Sequence, residues 1–256
     1  MQNLAADYRN THFDLRNHLE SFLAIDAETL DQRMAAAQSK LKELGEKEFS
    51  WEQPELFYSD AVIHEYLYDL SAWHESSADY IGDTISLIAE KAVGKVLDFG
   101  GGIGTHSIAA SYVASTSQVD YVDTNPANRA FVSHRAKQLG LNKLNVGEKP
   151  DQQEYSTILC LDVLEHLGDP AAQLKEFFGL LSPDGILICN WYFFQGFDNQ
   201  FPFHLTDPSL VQSFFLSLQL NFLEQFHPYL MTTRCYRPHP HRLENGKLRW
   251  QNPSSF

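Results

Sequence analysis

Basic side chains are scarce in this chain of 256 residues: 19 Lys and Arg stand against 33 Asp and Glu, a formal net charge of −14. Nucleic-acid binding is dominated by Lys and Arg meeting phosphates, so no nucleic-acid partner is expected. Cysteine is nearly missing. Cys160, Cys189 and Cys235 make an odd number without metal-ligand spacing, which suits a reducing compartment. Cys160 and Cys189 fall in apolar stretches that read as central strands, where cysteine acts as a small buried hydrophobe. No apolar run has membrane length and no secretory leader pattern is found, so the expectation is a cytoplasmic protein without a membrane span. Internal repeats and low-complexity stretches are also missing. The length suffices for one large domain, or for one domain plus a cap.

What is present is a glycine run: Val96-Leu97-Asp98-Phe99-Gly100-Gly101-Gly102-Ile103-Gly104-Thr105. An apolar strand ends in an acid, and Gly100, Gly102 and Gly104, spaced G-x-G-x-G, open into a helix expected over 105–114. Glycine is needed where the backbone takes positive φ, or where a Cβ would block a ligand pressed against the main chain. The helix start beyond offers unpaired N–H groups and a positive dipole end. Open α/β sheets bind cofactors in such a crevice at a strand's carboxyl end. A dinucleotide fingerprint, G-x-G-x-x-G, would put its third glycine on Thr105, and that pattern fails. Asp98 would also repel a pyrophosphate at close range. It suits a ligand with an ammonium group and no phosphate, a description that S-adenosylmethionine fits.

At these residues the chain resembles the class I S-adenosylmethionine-dependent methyltransferases, whose first motif looks like residues 96–104. Three further matches follow in the family's order. Val119-Asp120-Tyr121-Val122-Asp123-Thr124-Asn125-Pro126 reads as the second strand, and the resemblance implies that Asp123 at its tip accepts both ribose hydroxyls. Thr157-Ile158-Leu159-Cys160-Leu161 followed by Asp162-Val163-Leu164-Glu165-His166 resembles the fourth strand of the ubiquinone-biosynthesis type, with Asp162 bordering the cofactor pocket. Leu181-Ser182-Pro183-Asp184-Gly185-Ile186-Leu187-Ile188 resembles the turn into the fifth strand. Together these cover about the last two-thirds of the chain, a domain-sized length. The implied fold is α/β: a doubly wound, mostly parallel seven-stranded sheet, class I methyltransferase Rossmann-like, with an N-terminal helical cap. The implied roles are backbone access at Gly100, Gly102 and Gly104, and support of the methionine amino end by Asp98. No Asn-Pro-Pro-aromatic motif follows the fourth strand, so methylation of DNA amino groups is unsupported, and a small-molecule acceptor is expected.

Organisation changes near residue 90, giving a helical part, 1–90, and a cofactor-binding catalytic part, 91–256. Apolar residues at helical spacing predict a helix over 14–23. Asp26 caps a second helix running to about Leu44, with Gly45 as its stop. Pro54 precedes an aromatic segment with Tyr58, Tyr66, Tyr68, Trp73 and Tyr80. The helical part reads equally as an extension packing on the sheet, as a homodimer contact, or as a lid over cofactor and acceptor. Beyond it strands and helices alternate, implying parallel pairing. Pro126, Pro170 and Pro208 mark first helical turns, and 222–236 reads as a closing antiparallel pair.

Methyl transfer is an in-line displacement, so positioning is a large part of catalysis, and a hydroxyl nucleophile benefits from a base within reach. In this fold the loops after strands four and five face the methyl group, making His166, Trp191, Tyr192 and His204 the first candidates. A histidine of ordinary pKa, about 6.5, accepts a proton at neutral pH. The plainer alternatives are that His166 caps the next helix or bonds a carbonyl, and that His204 orders its loop. Glu165 reads as a solvated or helix-pairing residue. The aromatic run 191–203 is either core beneath the cap or the wall of a pocket for an apolar or aromatic acceptor. No metal site is expected: the run Arg237-Pro238-His239-Pro240-His241-Arg242 reads as an exposed tail without acidic or cysteine partners. After the third strand the family's adenine-contacting acid has no clean match, with Glu148 and Asp151 as substitutes. Two other classes remain in view, an NAD(P)-dependent oxidoreductase and a noncatalytic cofactor-binding regulatory subunit.

Overall fold

The computed structural model describes residues 3–61, 63–150, 154–229 and 232–253. Among these, helices come first: α1 (Leu4–Thr11), α2 (Leu15–Leu23), α3 (Ala27–Glu48), α4 (Pro54–Leu56), α5 (Ile63–Ser76) and α6 (Ala78–Lys91). Alternation follows through β1 (Gly94–Phe99), α7 (Thr105–Tyr112), β2 (Thr116–Val122), α8 (Pro126–Gln138), β3 (Leu144–Gly147), β4 (Tyr155–Cys160), α9 (Pro170–Leu180) and β5 (Leu181–Cys189). The chain closes with α10 (Pro208–Asn221), β6 (Phe222–Gln225), β7 (Arg234–Pro238) and a small hairpin, β8 (Leu243–Glu244) and β9 (Lys247–Leu248). Helix starts follow local chemistry. Asp26 accepts the N–H of Thr29 at the head of α3. Asn125, Asp169 and Asp207 cap α8, α9 and α10, each followed by a proline whose missing N–H would have had no helical partner.

Seven strands form one sheet in the order β3-β2-β1-β4-β5-β7-β6. Pairing is parallel from β3 through β5, and β7 runs antiparallel to both its neighbours. The strand order therefore reverses between β1 and β4, and a crevice opens at their carboxyl ends. Period-two alternation sends Val96 to one face and Leu97 to the other. Val96 packs with Ile81, Ile85 and Ile108, and Leu97 with Leu174, Phe177 and Phe214, so helices cover both faces. Cys160, Cys189 and Cys235 are free and buried in these layers. No helix among the described residues is long and apolar enough to cross a membrane.

The N-terminal helices share cores with the sheet layers. Leu4, Tyr8 and Phe13 join the cluster around Val96, whereas α2, α3 and α5 enclose Ile103 of the glycine run and Phe131 of α8. Two local expectations need correction. The run 237–242 is no free tail, because Arg237 and Pro238 complete β7 opposite Leu223 and Phe222. Nor is Gly45 a helix stop, since α3 continues to Glu48. Its hydrogen serves close approach instead: a Cβ there would sit 2.0 Å from the Phe203 ring. Gly45→Ala should therefore push Phe203 and its loop away, lowering stability by about 1–3 kcal/mol as overpacking does. A thermal midpoint equal to or above the parent's would contradict that contact.

Candidate functional site

At the end of β1 the backbone turns through Gly100, Gly102 and Gly104 with φ of 67°, 54° and 77°. Those left-handed values disfavour any side chain, and neighbours add to this: Val163 leaves no room at Gly100 and Val132 none at Gly104, while Leu70 lies tightly over Gly102. Three expected acids surround this turn. Asp98, buried, accepts the Ser107 hydroxyl at 2.5 Å. Asp123 accepts the N–H of Gly102 at 2.9 Å and of Asn125 at 2.7 Å, tying the tip of β2 to the glycine turn. Asp162 sits in a left-handed conformation after β4; its N–H donates to Asn190 Oδ1 and its Oδ1 accepts from Asn190 Nδ2, both at 2.6 Å. The same Asn190 amide donates to the Tyr80 hydroxyl.

Burial away from water pushes Asp98, Asp123 and Asp162 each up to about 6. Asp69 on α5 rises to about 6 for the same reason. Arg129 beside Asp123 offsets only a small part of this. The crevice thus concentrates carboxylates that a cation would stabilise.

Next to it, over the carboxyl ends of β4 and β5, lies a cavity of about 980 Å³ walled by α3, α5, α6 and the loops after both strands. Asp162, Asn190, Tyr80 and Asp69 reach its surface, and Leu70 lines it while closing over Gly102. Gly100, Gly102, Gly104, Asp98 and Asp123 are not among the residues that line it. Tyr66 also lines the cavity. Of the aromatic run, Trp191 and Phe193 turn inward onto Phe214, whereas Tyr192, Phe194 and Phe201 remain exposed. The run therefore serves both readings: Phe193 is core, Tyr192, Phe201 and Phe203 are cavity wall, and Trp191 is both.

His166 and His204 meet in the cavity with ring centroids 4.8 Å apart, edge to face. His166 Nδ1 lies 2.9 Å from the Tyr58 hydroxyl and 3.2 Å from the Phe203 carbonyl. His204 Nδ1 donates to the carbonyls of Tyr192 and Phe194 at 2.8 and 3.1 Å. Both rings thus make the carbonyl bonds that order the loop. Burial drives His166 down to about 3 and His204 down as well. The proton acceptance expected near neutral pH is accordingly weak, because an efficient base titrates near the working pH. Tyr192 presents its ring to His204 at 5.8 Å and lines the cavity.

Glu165 departs most from expectation. It is not solvated: it is 1% exposed, its Oε2 has no hydrogen-bond partner among the described residues, and desolvation raises its carboxyl to about 8. The short turn Leu164–His166 after β4 directs it inward, an orientation that side-chain spacing alone did not reveal. Tyr58, Asp69 and Asn190 were also missed; only Asn190, directly after the β5 tip, carries a positional signal. Glu148 is exposed and faces Arg129 at 3.7 Å, and Asp151 lies outside the described residues.

A family model described as a methyltransferase domain matches residues 72–226, more than half of the chain. The chain belongs to this methyltransferase family. No curated protein matches the methyltransferase by sequence. Among solved structures it is similar to an O-methyltransferase family protein from Burkholderia thailandensis, at 12% identity, covering 82% of this chain and 70% of that one with a TM-score of 0.54. That likeness is one of fold. PH0226 protein from Pyrococcus horikoshii OT3 matches at 16% identity over 72% of this chain and 96% of its own, TM-score 0.49. The [4+2]-cyclase SpnF matches at 19% identity over 42% of this chain, TM-score 0.39, and the methyltransferase spans only 44% of that protein.

Proposed function

We propose that this methyltransferase uses S-adenosylmethionine to methylate a small apolar or aromatic acceptor at an oxygen or nitrogen nucleophile. The observation that carries the reading is the acid-lined crevice beside an aromatic cavity. Bound there, S-adenosylmethionine supplies a methyl group on a sulfonium together with an ammonium group. The chain's residues fit such a ligand: Asp98 and Asp123 are buried and Asp162 and Asp69 half-buried, all four are raised by desolvation, and cationic groups would relieve that cost. Asp123 would hold ribose hydroxyls, Asp98 would support the methionine end through the loop it braces, and Asp162 with Asn190 would border the methyl-bearing side. A pyrophosphate would face the same carboxylates as a like charge, which disfavours an oxidoreductase.

Helices α3, α5 and α6 act in this reading as the cap over the acceptor, with Tyr66 and Leu70 on α5 and Tyr58 just before it forming cavity wall. Incubation with methyl-labelled cofactor and fractionated cell extract tests the function. Label in a small product supports transfer; binding without any labelled product would instead mark a noncatalytic cofactor-binding protein.

The carboxylates also set a pH dependence. Their native pKa near 6 lies above the free value, so the native state holds extra protons between about pH 4 and 6. Their contribution to stability is present below about pH 4 and lost as pH rises through 6. A cationic ligand favours the ionised forms, so binding releases protons. Affinity for S-adenosylmethionine should rise roughly tenfold from pH 5 to 7 and level off above. Calorimetry in buffers of different ionisation enthalpy reads both effects, and a flat affinity across that range would sink the assignment.

A further inference from the structure

We propose that Glu165, His166 and His204 bind a divalent transition-metal cation on the cavity floor. One ligand-capable atom from each lies within 4.8 Å of one from each of the others. A four-coordinate ion with bonds of about 2.1 Å would draw such atoms to about 3.4 Å apart, a shift within reach of small side-chain rotations.

The hydrogen bonds prepare the donors. Carbonyl oxygens only accept, so His204 must carry its proton on Nδ1, between Tyr192 and Phe194, leaving the Nε2 lone pair free. For His166 the Nδ1–H tautomer satisfies the Phe203 carbonyl and the Tyr58 oxygen at once, and again frees Nε2. An imidazole whose other nitrogen donates to a carbonyl or hydroxyl is how metal-bound histidines are oriented. Glu165 supplies a buried carboxyl oxygen with no hydrogen-bond partner among the described residues, an arrangement costly unless a cation or proton completes it. The two segments are fastened independently of any ion, because the Leu205 N–H donates to the Glu165 carbonyl at 2.7 Å.

Two imidazoles and one carboxylate suit zinc, cobalt, manganese or iron rather than calcium or magnesium. Three protein ligands leave coordination positions open, and these face the cavity. Resting on the methyl-transfer reading, an open position would take an oxygen of the acceptor, which narrows the acceptor to a hydroxyl-bearing compound.

The test uses the full chain, stripped with EDTA and titrated with Zn²⁺ alone by calorimetry. One site per chain is expected, at micromolar or lower Zn²⁺. Glu165→Gln and His204→Gln should each weaken it roughly hundredfold, and Tyr58→Phe, which keeps the ring and removes the hydroxyl bonded to His166, about tenfold. Co²⁺ substitution gives a second readout that needs no variant: visible d–d bands and X-ray absorption showing two imidazoles. Absence of stoichiometric Zn²⁺ and Co²⁺ binding would overturn the site, as would folded Gln variants that bind like the parent. S-adenosylmethionine affinity of the metal-free protein is measured separately, so failure of the metal site and failure of the cofactor reading are told apart.

Discussion

Asp123→Ala should reduce affinity for S-adenosylmethionine at least roughly a hundredfold. Two hydroxyl donors to an ionised carboxylate are worth about 1.5–3 kcal/mol each, and tenfold corresponds to about 1.4 kcal/mol. The neighbouring Asn125 does not replace that acceptor, because it spends its side-chain oxygen capping α8. The substitution also frees the Gly102 and Asn125 N–H groups that Asp123 now holds, loosening the glycine turn and adding to the loss. Asp123→Asn, which keeps one acceptor oxygen but no charge, should fall between the parent and Ala. Calorimetry on variants with parent-like thermal midpoints measures this. Full affinity in a folded Ala variant would remove the ribose role from Asp123.

A second large effect is expected at a residue that does not line the cavity. Arg135 on α8 is fully buried, and its guanidinium donates to the carbonyls of Ile103 at 2.7 Å and Phe13 at 3.2 Å. It thereby ties the glycine turn to the N-terminal helices. The Phe13 end needs holding: His12, Phe13 and Asp14 are successive non-glycine residues at φ of 41°, 45° and 59°, each costing on the order of 1–3 kcal/mol. Burial lowers Arg135 only to about 10, so it stays charged at neutral pH. Arg135→Ala leaves two buried carbonyls unpaired and opens a cavity, a loss of about 3–5 kcal/mol. For a chain of this size that is roughly a 10 °C fall in thermal midpoint. Lys cannot span both carbonyls and should recover only part of it. A midpoint within 2 °C of the parent, to take a rough threshold, would show that the link carries little.

Legibility in the sequence tracked how local the cause was. Helix starts at Asp26, Asn125, Asp169 and Asp207 were readable because a cap and its N–H partners lie within three residues. The strands were readable from continuous apolar runs between turns, and the glycine spacing needed only φ preferences. Gly45 was misread because its partner, Phe203, arrives from the far end of the chain. Helix α1 and Arg135 carry no periodic or motif signal: α1 matters through its packing on α6 and the sheet core, and Arg135 through its bonds to the glycine turn and Phe13. Glu165 and the two histidines looked like separate surface or loop residues, since nothing in their spacing fixes how deeply the turns after β4 and β5 sink beneath α3 and α5.

From the sequence alone came the family, the α/β order of elements, the acid-and-glycine turn, and the deficit of basic charge that speaks against a phosphate-rich partner. These depend on backbone sterics, short-range capping and net charge, all properties of neighbouring residues or of composition. Only the tertiary structure decided which carboxylates are stripped of water, that Leu70 lies over Gly102, and that Glu165, His166 and His204 converge. Desolvation and convergence arise when distant segments exclude water together, and no local pattern encodes them.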